Sequence, residues 1–166
     1  MTITLKQLNE MSKEQFAEAL GSIFEHSPWV AEAAHGSGPF ASVEELHSRM
    51  VEAAKNAPEE KVLALLRSHP DLATRLAMTD YSVSEQKGAG LDQLSPEEFE
   101  TFSSLNREYV GKFGFPFILA VRGKNKDDIL ASLRQRIHYD RAQEWNEALA
   151  QIARITGFRL ADLVQA

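Results

Sequence analysis

Helix starts recur along this sequence at intervals that leave room for little else. Ser12 with Gln15 forms a capping box, and Phe16, Ala19, Leu20, Ile23 and Phe24 follow at helical spacing. Ser27-Pro28 reads as an N-cap followed by proline at the first helical position. Ser42 with Glu45 repeats the box ahead of Leu46, Met50 and Ala54, and Pro58 opens a helix carrying Val62, Leu63, Leu65 and Leu66. Ser95-Pro96-Glu97-Glu98 combines cap, proline and first-turn acid, with Phe99, Phe102, Leu105, Tyr109 and Val110 expected as its buried stripe. Asn125 with Asp128 starts another helix, bearing Ile129, Leu130, Leu133 and Ile137.

The stops are as clear. Gly36 and the loop Gly36-Ser37-Gly38-Pro39 break the chain, and Pro70 ends the helix before it because the residue preceding a proline is pushed out of the helical region. Gly114 closes the helix from Ser95. Asp71 to Ala77 reads as a short helix within a less regular stretch. A last long helix carries Trp145, Ala148, Leu149, Ile152 and Ile155; Gly157 is expected to end or kink it, leaving Leu160, Leu163 and Val164 in a short tail helix. Phe115–Val121 is apolar, contains Pro116 and has no second strand to pair with, so it is expected to be extended and buried. The reading is one all-α domain, residues 1–166, of about eight helices with one buried extended segment.

Composition narrows the function. A chain of 166 residues, 43% hydrophobic, can bury a real core, and no apolar run approaches the ~20 residues of a membrane helix. There is no cysteine, which removes disulfides, thiolate nucleophiles and cysteine-bound metal together. A formal charge of −6 argues against nucleic acid as a partner. The start of the chain has no signal-peptide layout and its end is not Ser-Lys-Leu, so a cytoplasmic protein is expected. The histidines, His26, His35, His47, His69 and His138, make no His-x-x-x-His pair, and no metal site is expected. No Gly-x-Ser-x-Gly elbow is present, and Gly88-Ala89-Gly90 lacks the third glycine of a dinucleotide fingerprint.

Three segments can carry chemistry. In Ser68-His69-Pro70-Asp71-Leu72 an imidazole sits at a helix end, where the dipole favours it, and the following proline fixes the chain's exit. Histidine is the side chain best suited to exchange protons near neutral pH. Ser82-Val83-Ser84-Glu85-Gln86 packs hydroxyl, carboxylate and amide beside a glycine-rich turn; Ser82 and Glu85 also read as a plain capping box. Phe117-Ile118-Leu119-Ala120-Val121, without a pairing strand, leaves peptide groups in need of partners, which helix ends, water or a ligand could supply.

In order and spacing the chain resembles the OHCU decarboxylases, which act on 2-oxo-4-hydroxy-4-carboxy-5-ureidoimidazoline in urate breakdown. The resemblance runs from about Leu8 to Leu163. It rests on Phe24-Glu25-His26-Ser27-Pro28-Trp29-Val30-Ala31, Ser68-His69-Pro70-Asp71-Leu72-Ala73, Ser82-x-x-Glu85-Gln86-x-x-Ala89-Gly90-Leu91, Leu105-Asn106, Tyr109, Lys112-Phe113-Gly114-Phe115-Pro116-Phe117-Ile118 and Gly157-Phe158-Arg159-Leu160. It implies an all-helical enzyme, usually a homodimer, with neither metal nor organic cofactor. It further implies His69 as catalytic acid, Pro70 against the substrate, and Ser82, Val83, Ser84, Glu85 and Gln86 on the ureido and ring groups. Glu85 accepts their N–H bonds and is grouped with His69 as catalytic. Backbone groups of Phe117, Ile118, Leu119, Ala120 and Val121 meet the ring, and Arg159 contacts the substrate.

The chemistry is consistent with the residues. Decarboxylation leaves an electron pair on carbon, and the imine of the OHCU ring can hold it, so the protein's task is to position the substrate and deliver one proton. A hydrolase acting on a ureido or hydantoin-like compound fits less well, lacking a metal motif or nucleophile. A non-catalytic helical module would be indifferent to His69→Ala, whereas the enzyme would not.

Overall fold

The structure, a computed structural model, describes residues 2–69, 85, 87, 90–91 and 94–166. The helices with described bounds are α1 (Leu5–Asn9), α2 (Lys13–Leu20), α3 (Trp29–His35), α4 (Val43–Lys55), α5 (Glu59–Ser68), α6 (Pro96–Phe113), α7 (Lys126–Arg136) and α8 (Arg141–Leu163). The only strands among the described residues are β1 (Ile3–Thr4) and β2 (Val164–Gln165), which pair in parallel, Ile3 with Val164 and Thr4 with Gln165. The architecture is all-α, as the recurrent caps require.

Those caps are formed. Ser12, Ser95 and Asn125 each accept from the backbone N–H three residues on, and the side chains of Gln15, Glu98 and Asp128 return the bond. Ser42 caps α4 through Glu45 N–H, but the Glu45 carboxylate takes the N–H of Ala41 instead. Thr4 and Gln7 make a further box at α1, and Asp140 caps α8 through Gln143 N–H at 2.7 Å. Ser27 does not cap α3: its hydroxyl turns back to the Glu25 carbonyl, and Pro28 already has helical dihedrals.

The chain groups into two compact units, residues 1–68 with 153–166, and residues 69–152. In the first, α3 packs on both α2 and α4, around Phe16, Leu20, Val30, Leu46 and Met50. Phe16 stacks on Phe40 at 6.0 Å and meets the His35 ring edge-on at 5.3 Å. The second unit is built on an aromatic cluster: Tyr109 lies 4.5 Å from Phe113 and 5.4 Å from Phe117, ring centre to ring centre, and Phe115 lies 5.9 Å from Trp145.

Three expectations are corrected. Gly157 does not end its helix and no separate tail helix follows, because α8 runs to Leu163. A Cβ at Gly157 would stand 3.3 Å from Cε1 of His47, so the glycine serves a close approach between α8 and α4. The buried stripe of α6 is Phe102, Asn106, Tyr109 and Phe113, with Val110 exposed. In the first turn of α8 Glu144 is fully buried while Trp145 is only half-buried. The expected helix Asp71–Ala77 lies outside the described residues.

Candidate active site

His69 follows directly on α5. First-turn acids Glu59 and Glu60 and the buried Val62, Leu65 and Leu66 set that helix, and the Ser68 hydroxyl closes its last turn on the Ala64 carbonyl at 2.7 Å. The His69 side chain is buried, 7% exposed, which is uncommon for histidine at a helix end facing water. Glu85 is half-buried and helical; Leu91 is buried. Pro70, Ser82, Val83, Ser84 and Gln86 lie outside the described residues.

Phe117, Ile118, Leu119, Ala120 and Val121 are all buried and in neither helix nor strand. Gly114, at φ 81°, ends α6 in the left-handed region and releases the chain into this segment. Two of its peptide groups are held by side chains. Arg136 Nη1 donates to the Ile118 carbonyl at 2.7 Å, and Ala120 N–H donates to Gln151 Oε1 at 3.0 Å. Gln151 is oriented in turn by its Nε2 donating to Glu147 Oε1 at 2.9 Å.

Arg136 is itself fixed. Its Nε donates to Glu144 Oε1 at 2.8 Å and its Nη2 lies 2.5 Å from the same oxygen. Its guanidinium sits 4.5 Å over the Phe117 ring. The Tyr109 hydroxyl donates to Glu144 Oε1 in a short hydrogen bond. Burial first, and then the hydrogen bond to Glu144, hold the Tyr109 phenol well above its ordinary value, so it stays a proton donor to the carboxylate.

Arg159 belongs to the other unit. It is 2% exposed, and its Nη1 donates both to Glu25 Oε2 at 3.0 Å and to the Ile23 carbonyl at 3.1 Å. Glu25 is fully buried. Between the inward-facing Glu25 and Ser27, His26 is exposed at φ 48°, a left-handed conformation uncommon outside glycine. Among the described residues no cluster of three or more His, Cys, Asp or Glu is placed to hold a metal ion.

His69, Glu85 and Phe117–Val121 thus fall in one unit and Arg159 in the other. Sequence reasoning assigned no role to Arg136, Glu144, Gln151 or Glu25. The readable signal was phase: Glu144, Ala148, Gln151 and Ile155 recur at helical spacing and all are buried, so two polar residues share an apolar stripe.

Comparison with known proteins bears on what these residues serve. The family model for OHCU decarboxylase matches residues 9–161. The chain belongs to this family. It is 47% identical over 160 residues to the 2-oxo-4-hydroxy-4-carboxy-5-ureidoimidazoline decarboxylase of Haloferax volcanii, covering 96% of this chain and 95% of that one. It is 46% identical to the uric acid degradation bifunctional protein PucL of Bacillus subtilis, covering 97% of this chain but only 33% of that longer one. Among solved structures, an (S)-allantoin synthase matches this OHCU decarboxylase family member with a TM-score of 0.79 at 33% identity, covering 96% of this chain and 54% of that chain. An OHCU decarboxylase crystallised in the presence of (S)-allantoin shares the fold, with a TM-score of 0.70 at 22% identity over 92% of this chain and 97% of that one.

Proposed function

We propose that this chain decarboxylates 2-oxo-4-hydroxy-4-carboxy-5-ureidoimidazoline to (S)-allantoin, in urate breakdown, without a cofactor. The observation that carries the reading is the near full-length match to the Haloferax volcanii decarboxylase, 95% of whose length is covered. The substrate's ring imine takes up the electron pair left by carbon dioxide, so the protein needs to orient the ring, exclude water and deliver one proton to one face.

In this reading His69 is the proton donor. Its burial after α5 supports that role, because an imidazole away from bulk water can hand its proton to carbon without a competing solvent route. Glu85 and Gln86 grip the ureido group, with Pro70 and Ser82, Val83 and Ser84 beside it. The peptide groups of Phe117–Val121 meet the ring, and Arg159 meets the substrate's negative charge. The assignments of Arg159 and of the residues outside the described set rest on the family resemblance. No helix among the described residues is long and apolar enough to cross a membrane. The working protein is proposed as a cytoplasmic homodimer, organised as one domain over residues 1–166.

The test is to generate the substrate fresh from urate, add the protein and follow the circular dichroism of the product. Rapid appearance of a single allantoin enantiomer is expected. A racemic product formed at the uncatalysed rate overturns the reading.

A further inference from the structure

We propose that Arg136, Glu144 and Gln151 are positioning residues for the reaction: they pin Ile118 and Ala120 so that the peptide groups of Phe117 and Leu119 are presented to the substrate. The inference rests on the reading above, in which this segment meets the substrate ring.

A buried chain in neither helix nor strand must find partners for every peptide group. Here alternate residues are served, Ile118 through its carbonyl and Ala120 through its N–H, by side chains of α7 and α8. Neither Phe117 nor Leu119 has a peptide hydrogen bond to another described residue, although both are buried. The anchored pair therefore alternates with residues whose polar backbone groups suit a ligand carrying both donors and acceptors. A ureido-substituted imidazoline ring is such a ligand.

Stability alone gives little reason to keep this ion pair buried. Arg136 is 4% exposed and Glu144 fully buried, and a pair this deep is often replaced by apolar side chains at no cost to the fold. What an apolar pair cannot do is donate to the Ile118 carbonyl. Glu144 and Tyr109 fix where the guanidinium points, and the guanidinium in turn touches two successive residues, the Phe117 ring and the Ile118 carbonyl. Small displacements of groups that hold a substrate lower turnover steeply, so rigidity here has a catalytic consequence.

The double variant Arg136→Met/Glu144→Leu separates positioning from folding. It is expected to fold, with a thermal midpoint lowered by the Ile118 carbonyl and Tyr109 hydroxyl that lose their partners, while kcat/KM falls at least tenfold and the pH profile keeps its shape, since His69 is untouched. Amides of residues 117–121 should exchange with solvent deuterium at least tenfold faster in the substrate-free protein. Gln151→Met, which removes only the acceptor for Ala120 N–H, should move both readouts in the same direction, and it carries the test if the double variant does not fold. Folded variants that keep kcat/KM within twofold and exchange unchanged overturn the proposal. If the wild type makes no single allantoin enantiomer, the decarboxylase reading fails, and unchanged exchange would separately refute the anchoring.

Discussion

Arg159 Nη1 lies 3.0 Å from Glu25 Oε2, with 2% of the Arg159 side chain and none of the Glu25 side chain exposed. The two residues stand far apart in the chain, and the pair ties the C-terminal part of α8 to the turn that precedes α3. Removing one partner of a pair this deeply buried typically costs about 3–5 kcal/mol. Glu25→Ala is therefore expected to lower unfolding free energy by that order in urea titrations. Glu25→Leu combined with Arg159→Met should recover much of the loss. A double variant no more stable than Glu25→Ala would show that the charge left behind is not the source of the loss.

His69 separates an enzyme from a helical binding module. Its imidazole is buried beyond the last turn of α5. A positioned general acid contributes roughly 10²–10⁴-fold, so His69→Gln should lower kcat by that order and leave far-ultraviolet circular dichroism and the thermal midpoint nearly unchanged. Retention of more than a third of wild-type kcat in the folded variant would remove His69 as proton donor.

The helical frame was legible because helix starts are local. Ser12, Ser95 and Asn125 each carry their reciprocating partner three residues on, and all three boxes form. The failures share a cause, which is that burial is decided by distant parts of the chain. Gly157 carries the composition of a helix stop, yet α8 continues through it, and the missing side chain leaves room for His47. Val110 fits the apolar period but faces solvent, while the polar Asn106 is buried. The buried segment Phe115–Val121 was legible from its apolar run and missing partner strand. Its main anchor was not, because Arg136 looks like an ordinary surface charge until the fold brings it onto the Ile118 carbonyl and Glu144.

His47 should make stability depend on pH. It is half-buried, 3.0 Å from the Thr156 hydroxyl, and its pKa is lowered by burial, partly offset by a backbone hydrogen bond to Ala153. The unfolded chain then binds the proton more readily than the folded one. The contribution is absent above the ordinary value of 6.5 and grows as a penalty as pH falls from there through the lower folded value. Wild-type stability should fall more steeply than that of His47→Gln between about pH 7 and pH 5, read from urea midpoints; the difference between the two curves isolates His47 from the other titrating groups. Parallel curves would show that its proton is bound equally in both states.

Gly157 and His47 should also be coupled. Alanine is favoured over glycine inside a helix by about 1 kcal/mol, so Gly157→Ala ought to stabilise α8. The new methyl would stand 3.3 Å from Cε1 and 3.6 Å from Nε2 of His47, close enough that the ring must shift. The two effects oppose, and the substitution is expected to be near neutral or mildly destabilising in the wild type. In a His47→Ala background the obstacle is gone and the same substitution should stabilise by about 0.5–1 kcal/mol. A double-mutant cycle with urea unfolding measures the coupling. An equal gain in both backgrounds would mean that α8 tolerates the methyl without touching His47, and that the close approach does not account for the glycine.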